Sequence, residues 1–123
     1  MNSEGESNLP IVAASETISA SEILPPVKTD ESTTYKAGST LPVKFQLMDE
    51  VGNYLSGATA EIYVEDANGV STSSAVKENL FRYDSIANQY IFNLSTKSMS
   101  AGIYNIMIDV GNRTFYDFNI LLK

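Results

Sequence analysis

The chain contains no cysteine, no histidine and no tryptophan. Without cysteine no disulfide staples the fold, so its core has to hold alone. Without cysteine and histidine, zinc, iron–sulfur and haem sites lose their usual ligands. For the same reason neither a Ser-His-Asp nor a Cys-His nucleophile can be assembled. Without tryptophan the usual sugar-stacking side chain is missing. Bases are scarce: eight Lys and Arg stand against fifteen Asp and Glu, a net charge of −7. No Lys/Arg cluster interrupts that balance, which makes nucleic acid and anionic membrane poor partners. No apolar run approaches the roughly 20 residues that cross a bilayer. The start, MNSEGESNLPIVAAS, shows neither a basic n-region nor an h-region of signal-peptide length. Lack of cysteine still permits an extracellular home, so the chain reads as cytosolic or as a segment of a longer secreted protein.

What is present divides near residue 33. A chain of 123 residues has room for one domain. Residues 1–34 are rich in Ser, Thr, Glu and Pro and hold six of the acids, Glu4, Glu6, Glu16, Glu22, Asp30 and Glu31, against Lys28 alone. Their apolar residues follow no sustained period, and Pro10, Pro25 and Pro26 interrupt any regular element. This reads as an extended, disordered acidic tail with one short strand near 9–14. Pro25-Pro26 favours a polyproline II run through EILPPV against the domain. A folding unit of about 90 residues buries only roughly 60–65% of its chain surface, so its stability margin is thin.

Beyond residue 34 short alternating runs lie between turn signals, the pattern of an all-β domain. Val43, Phe45 and Leu47 share one face, with Lys44 and Gln46 on the other. The same phase puts Ala60, Ile62 and Val64 inward, then Tyr90, Phe92 and Leu94, with Ile91 outward. Tyr104, Ile106, Ile108 and Val110 form a fourth set; Tyr116, Phe118, Ile120 and Leu122 form a fifth. Weaker strands are expected at 34–37 and 79–84. DEVGN and DANG carry turn chemistry, Gly111-Asn112 a tight hairpin, and DSIAN a longer one. About seven short strands, each with one buried face, predict an antiparallel β-sandwich.

Proline donates nothing to a sheet ladder, so Pro42 is expected at the first residue of its strand. Lys44 falls on the solvent phase, where an outward lysine discourages association of sheet edges. Gly102, Tyr104 and Ile106 have the spacing with which immunoglobulin-like sandwiches open a strand on a tyrosine corner. In that reading Ile106 stands where antibody domains carry a disulfide cysteine.

The run ILPPVKTDESTTYKAGSTLPVKFQLMDEVGNYLSGATAEIYV resembles the PxKF domain, whose Pro-x-Lys-Phe stands here as Pro42-Val43-Lys44-Phe45. FRYDSIANQYIFNLSTKSMSAGIYNIMI is similar to the second half of that family's pattern. The last hairpin departs from it, with DVGNR in place of an Asp-Asp-Gly type turn. The resemblance implies an immunoglobulin-like module of large secreted or surface proteins of bacteria and archaea, beside other sandwich domains. It carries over no catalytic residue, only Pro42, Lys44 and Phe45 as structural motif positions. It also implies that residues 23–123 form the domain and residues 1–22 the tail.

The expected function is therefore a non-catalytic structural or interaction module without a cofactor, contacting neighbouring domains or another protein. The alternative is an accessory module for calcium or carbohydrate in an exported hydrolase or adhesin. Hard-oxygen ligands for a weak calcium site would be Asp49, Glu50, Asn53, Asp66 and Asn68, although their spacing matches no calcium loop. A sugar platform would need Tyr35, Tyr54 and Tyr63. Paired carboxylates for hydrolysis would come from Asp49/Glu50, Glu65/Asp66, Asp109 and Asp117, across a cleft that so small a sandwich rarely supplies. Asn93 and Asn112 head N-x-S/T sequons, and the hairpin residue Asn112 is the more accessible of the two.

Overall fold

The structure is a computed structural model and describes residues 18–71 and 79–123. Those residues form nine β-strands and no helix: β1 (Ser19–Ala20), β2 (Thr34–Tyr35), β3 (Thr40–Phe45), β4 (Leu47–Met48), β5 (Ala60–Glu65), β6 (Arg82–Asp84), β7 (Gln89–Ser95), β8 (Gly102–Val110) and β9 (Arg113–Leu122). One sheet has the order β2-β9-β8-β5 and the other β3-β7-β6, with β1 paired to β4. Only Gln46 separates β3 from β4, and Ser21 N–H and Leu24 N–H donate to the carbonyls of Gln46 and Lys44. Residues 19–24 therefore extend the second sheet along the free side of β3. The result is an all-β, immunoglobulin-like sandwich in which the opening segment serves both sheets.

Alternation explains the layers. The inward residues of β3, β5 and β8 are buried as the phase requires, as are Phe118, Ile120 and Leu122 of β9 with Tyr116 half-buried, and Val43, Phe45, Ile62, Ile106 and Ile108 are inaccessible to solvent. In β7 two positions depart from it. Ile91 is buried although it points outward, because Lys44 and Arg82 are its cross-strand partners. Long basic stems laid across a strand cover such a residue. Phe92 is only half-buried and meets Phe81 at the margin, with ring centroids 5.6 Å apart.

Phe45 is the centre of the core. Its ring stacks on Tyr90 at 5.2 Å, meets Phe81 edge-on at 5.1 Å and lies 5.1 Å from Tyr116. Tyr90 belongs to β7 and Tyr116 to β9, so this one ring ties the two sheets together. Offset or edge-on pairs of this kind add about 0.5–1.5 kcal/mol each beyond the area they bury.

Two features place the turns. Gly111 takes φ 65° at the first central position of the β8–β9 hairpin, a conformation glycine adopts without steric cost. A register shift after Ile108 leaves Phe115 unpaired, so Thr114 faces Asp109 while Tyr116 faces Ile108. This bulge lets Arg113 and Thr114 face solvent and still returns Tyr116, Phe118, Ile120 and Leu122 to the core.

Three sequence expectations need correction. Pro42 is the third residue of β3, not the first. Lys44 and Gln46 turn their backbone groups toward residues 21–24, and the period of two gives Pro42 the same direction. Its missing N–H thus falls on the side away from β7, and that ladder loses nothing. The EILPPV run does not continue extended: the chain turns at Pro25–Pro26, a cis peptide bond, with Ile23 and Val27 buried on either side. Of the residues expected in the tail, Ser19 and Ala20 pair with β4 and Ser21 bonds to Gln46. The rest of the expected tail and the short strand near 9–14 lie outside the described residues.

Phe45→Ala should cost about 3–5 kcal/mol, as buried Phe-to-Ala changes do. Ile86→Ser, at a turn residue with 93% of its surface exposed, should stay within about 0.5 kcal/mol. Urea denaturation followed by circular dichroism separates the two; similar midpoints would remove Phe45 from the centre of the core.

Candidate functional site

The strands give the sandwich two distinct ends. At one end lie the 49–59 connection, the 85–88 turn and the Gly111-Asn112 hairpin. Tyr90 joins them: its hydroxyl donates to Leu55 O at 2.7 Å and accepts from Ala58 N–H at 3.1 Å. Ile18 sits at this end too, beside Val110, Gly111 and Phe115 on the wall of an open groove of about 750 Å³. The groove is mainly apolar, with Thr59, Asn112 and Arg113 as its polar residues. Arg113 holds its guanidinium 5.5 Å from the centre of the Phe115 ring. At the far end Ala37 N–H donates to Lys123 O, and Lys123 N–H donates to Tyr35 O.

The residues proposed for calcium do not converge. Asp49 Oδ1 accepts from Val51 and Asn53 N–H, and Asp66 Oδ1 accepts from Asn68 and Val70 N–H. Each carboxylate closes its own turn. The amide of Asn53 is the main cause that holds the Asp49 carboxyl below the usual range. Among the described residues no group of three or more acidic side chains gathers where a metal ion would sit.

The remaining acids are also dispersed. Asp109 accepts from the Thr114 hydroxyl at 2.8 Å, and Asp117 accepts from Asn105 Nδ2 at 2.8 Å. Both lie on the outer surface of the four-stranded sheet.

The three tyrosines of the sugar reading stand apart. Tyr35 and Tyr63 occupy β2 and β5, at opposite margins of one sheet, with β8 and β9 between them. Tyr54 bridges to Met48 of β4, outside that sheet. Tyr35 is engaged as well, since its hydroxyl accepts from Lys28 N–H at 2.8 Å. Asn93 and Asn112 are exposed.

Of the motif positions, Phe45 is in the core, while Lys44 and Pro42 are half-buried on the outer face of β3. Gly102 takes φ 151°, a conformation that side chains strain. Two residues on, the buried Tyr104 donates from its hydroxyl to Ser100 O at 2.8 Å, the bond a tyrosine corner requires.

Sequence reasoning overlooked the residues that organise this architecture most. Tyr90 and Tyr116 count there only as inward aromatics. Tyr116 donates to Ser21 O at 2.5 Å, and burial pushes its hydroxyl up to about 12. Burial raises Tyr90 in the same direction. A buried tyrosine needs a partner for its hydroxyl, so tyrosine on an inward phase was the available signal.

No family model matches the chain, and no curated protein matches it. Among solved structures it is similar to domains 4 and 5 of the S-layer protein SbsC, at 12% sequence identity and a TM-score of 0.44. That alignment covers 97% of this chain and 54% of the other, so the chain spans about half the length of the structure it matches.

Tyr104→Phe should lower stability by about 1 kcal/mol, the worth of one hydrogen bond. An unchanged melting curve would leave Tyr104 as a packing residue only. Tyr116 gives a separate pH prediction. Its folded value lies above the ordinary tyrosine value of 10.0, at about 12. The native state therefore holds that proton more tightly, and the contribution is complete below pH 10. It declines as pH rises toward about 12. With no tryptophan to interfere, ultraviolet titration should show a late tyrosine that Tyr116→Phe removes.

Proposed function

We propose that the chain is a non-catalytic structural module of a secreted or cell-surface protein, a spacer of the PxKF type set between neighbouring domains. One observation carries the reading: the described chain enters the sandwich beside the Gly111-Asn112 hairpin and leaves it at the opposite end. Ile18 shares a groove with Val110 and Gly111, whereas Lys123 bonds to Ala37 and Tyr35. Between them β9 runs ten residues, about 30 Å at the rise of a strand. A module of this plan adds its long dimension to a string of domains.

The side-chain chemistry supports the same reading. The acids of the turns are occupied by their own backbone amides, and those of the sheet face are spread along β5, β8 and β9. General acid–base work needs such groups to converge on one reacting atom. Neighbouring sandwich domains, or another protein of the same surface, are the partners this reading names.

Antibodies raised against residues 18–123 should label intact cells of the source organism, and external protease should remove the label. Reactivity that emerges only after lysis would overturn the reading.

A further inference from the structure

The first and last strands of a spacer receive whatever tension the string carries, so their connections set its resistance to being pulled open. Residues 19–24 lie along β4 and β3, held by Ser21 N–H to Gln46 O at 2.9 Å, Leu24 N–H to Lys44 O at 2.9 Å and Gln46 N–H to Ser21 Oγ at 2.9 Å. At the other terminus β9 is paired along its length with β8, from Val110↔Arg113 to Gly102↔Leu122, and in parallel with β2. Tension from Ile18 and from Lys123 acts along these strands in opposite directions. Ladder bonds run across the strands, so sliding a strand along its axis loads them together rather than one at a time.

One side chain hydrogen-bonds the entering segment to the final strand across the sheets. Tyr116 stands on β9 with its ring against Phe45, and its hydroxyl donates to Ser21 O. We propose that Tyr116 is a mechanical latch, coupling the entering segment to the final strand so that tension on the chain loads both ladders in shear. The inference rests on the spacer reading. It adds a direction of strength that a merely compact domain lacks. The Phe45–Tyr116 contact holds the phenol in place, and the bond it makes to the Ser21 carbonyl is half-buried. Tyr104 supplies the natural control. Its hydroxyl also bonds a backbone carbonyl, that of Ser100 at 2.8 Å, but ties a loop to β8 and joins neither terminal strand.

Forced unfolding reports the unfolding rate rather than equilibrium stability, so it reads the latch directly. The full chain is held between reference domains and stretched through its termini. A second geometry uses the N-terminal fusion and Asn112→Cys; the absence of native cysteine makes that attachment unique. These two points lie at one end of the sandwich, so the ladders open one bond at a time. The expected result is a higher rupture force through the termini than through the same-end pair. Tyr116→Phe should lower the terminal force, and Tyr104→Phe should leave it at the wild-type value, although both lower equilibrium stability. If Tyr116→Phe leaves the force unchanged, or Tyr104→Phe reduces it equally, the latch is overturned. A wild-type force that does not depend on direction overturns the shear geometry. Surface labelling tests the spacer reading separately and is untouched by either result.

Discussion

The packing of one phenylalanine ring between two sheets is the constraint on which the rest depends. A small sandwich without disulfides has a thin margin, because so much of its surface stays in water. Phe45 concentrates cohesion at one level by touching rings from β7, β9 and the residue before β6. Around it Ile62 of β5 and Ile106 and Ile108 of β8 are aliphatic and fully enclosed. The rings define a stiff aromatic end, near the hairpin and the 49–59 connection. The aliphatic layer continues from there toward the end where the chain leaves.

Tyrosine lets this core reach segments that a sheet cannot pair. The ring fills space between the layers and the hydroxyl extends to a backbone group outside them. Tyr90 fixes Leu55 and Ala58, Tyr104 fixes Ser100, Tyr116 fixes Ser21, and Tyr35 receives the amide of Lys28. Each segment so held connects strands or leads into one. A domain with few buried apolar residues thereby immobilises long connections without enlarging its core. Where the aspartates of a turn satisfy their own amides, as Asp49 and Asp66 do, no such tether is needed.

The layers were legible because β-alternation is a local signal. Val43, Phe45 and Leu47 announce their face within five residues, and so do Ile106, Ile108 and Val110. Strand position was less so. Pro42 looks like a first residue because prolines avoid ladders, yet the relevant question is which side its nitrogen faces, and that depends on a segment some twenty residues away. Ile91 failed for a similar reason, since its cover comes from Lys44 and Arg82 on two other strands. The short strand Ser19–Ala20 has no hydrophobic period and exists only because β4 offers it a partner. The candidate ligands for calcium and sugar were chosen by residue type. Type cannot reveal that an aspartate is already spent on its own turn, or that Tyr35 and Tyr63 stand at opposite margins of a sheet.

The way the chain changes sheets at both margins has a consequence for how copies of the domain meet. Residues 19–24 line β3, and the chain then crosses so that Thr34–Tyr35 lines β9. On the opposite margin residues 79–81 bond to β5 before Arg82–Asp84 joins β7. Part of each margin is thereby filled by the molecule's own backbone, with β2 covering Leu121 and Leu122 of β9, and the margin formed by β6 is only three residues long. Unpaired strand margins are the templates on which sandwich proteins fuse into fibres. On this domain the two-residue β2 and the three-residue β6 keep such templates short at the outer positions of the two sheets.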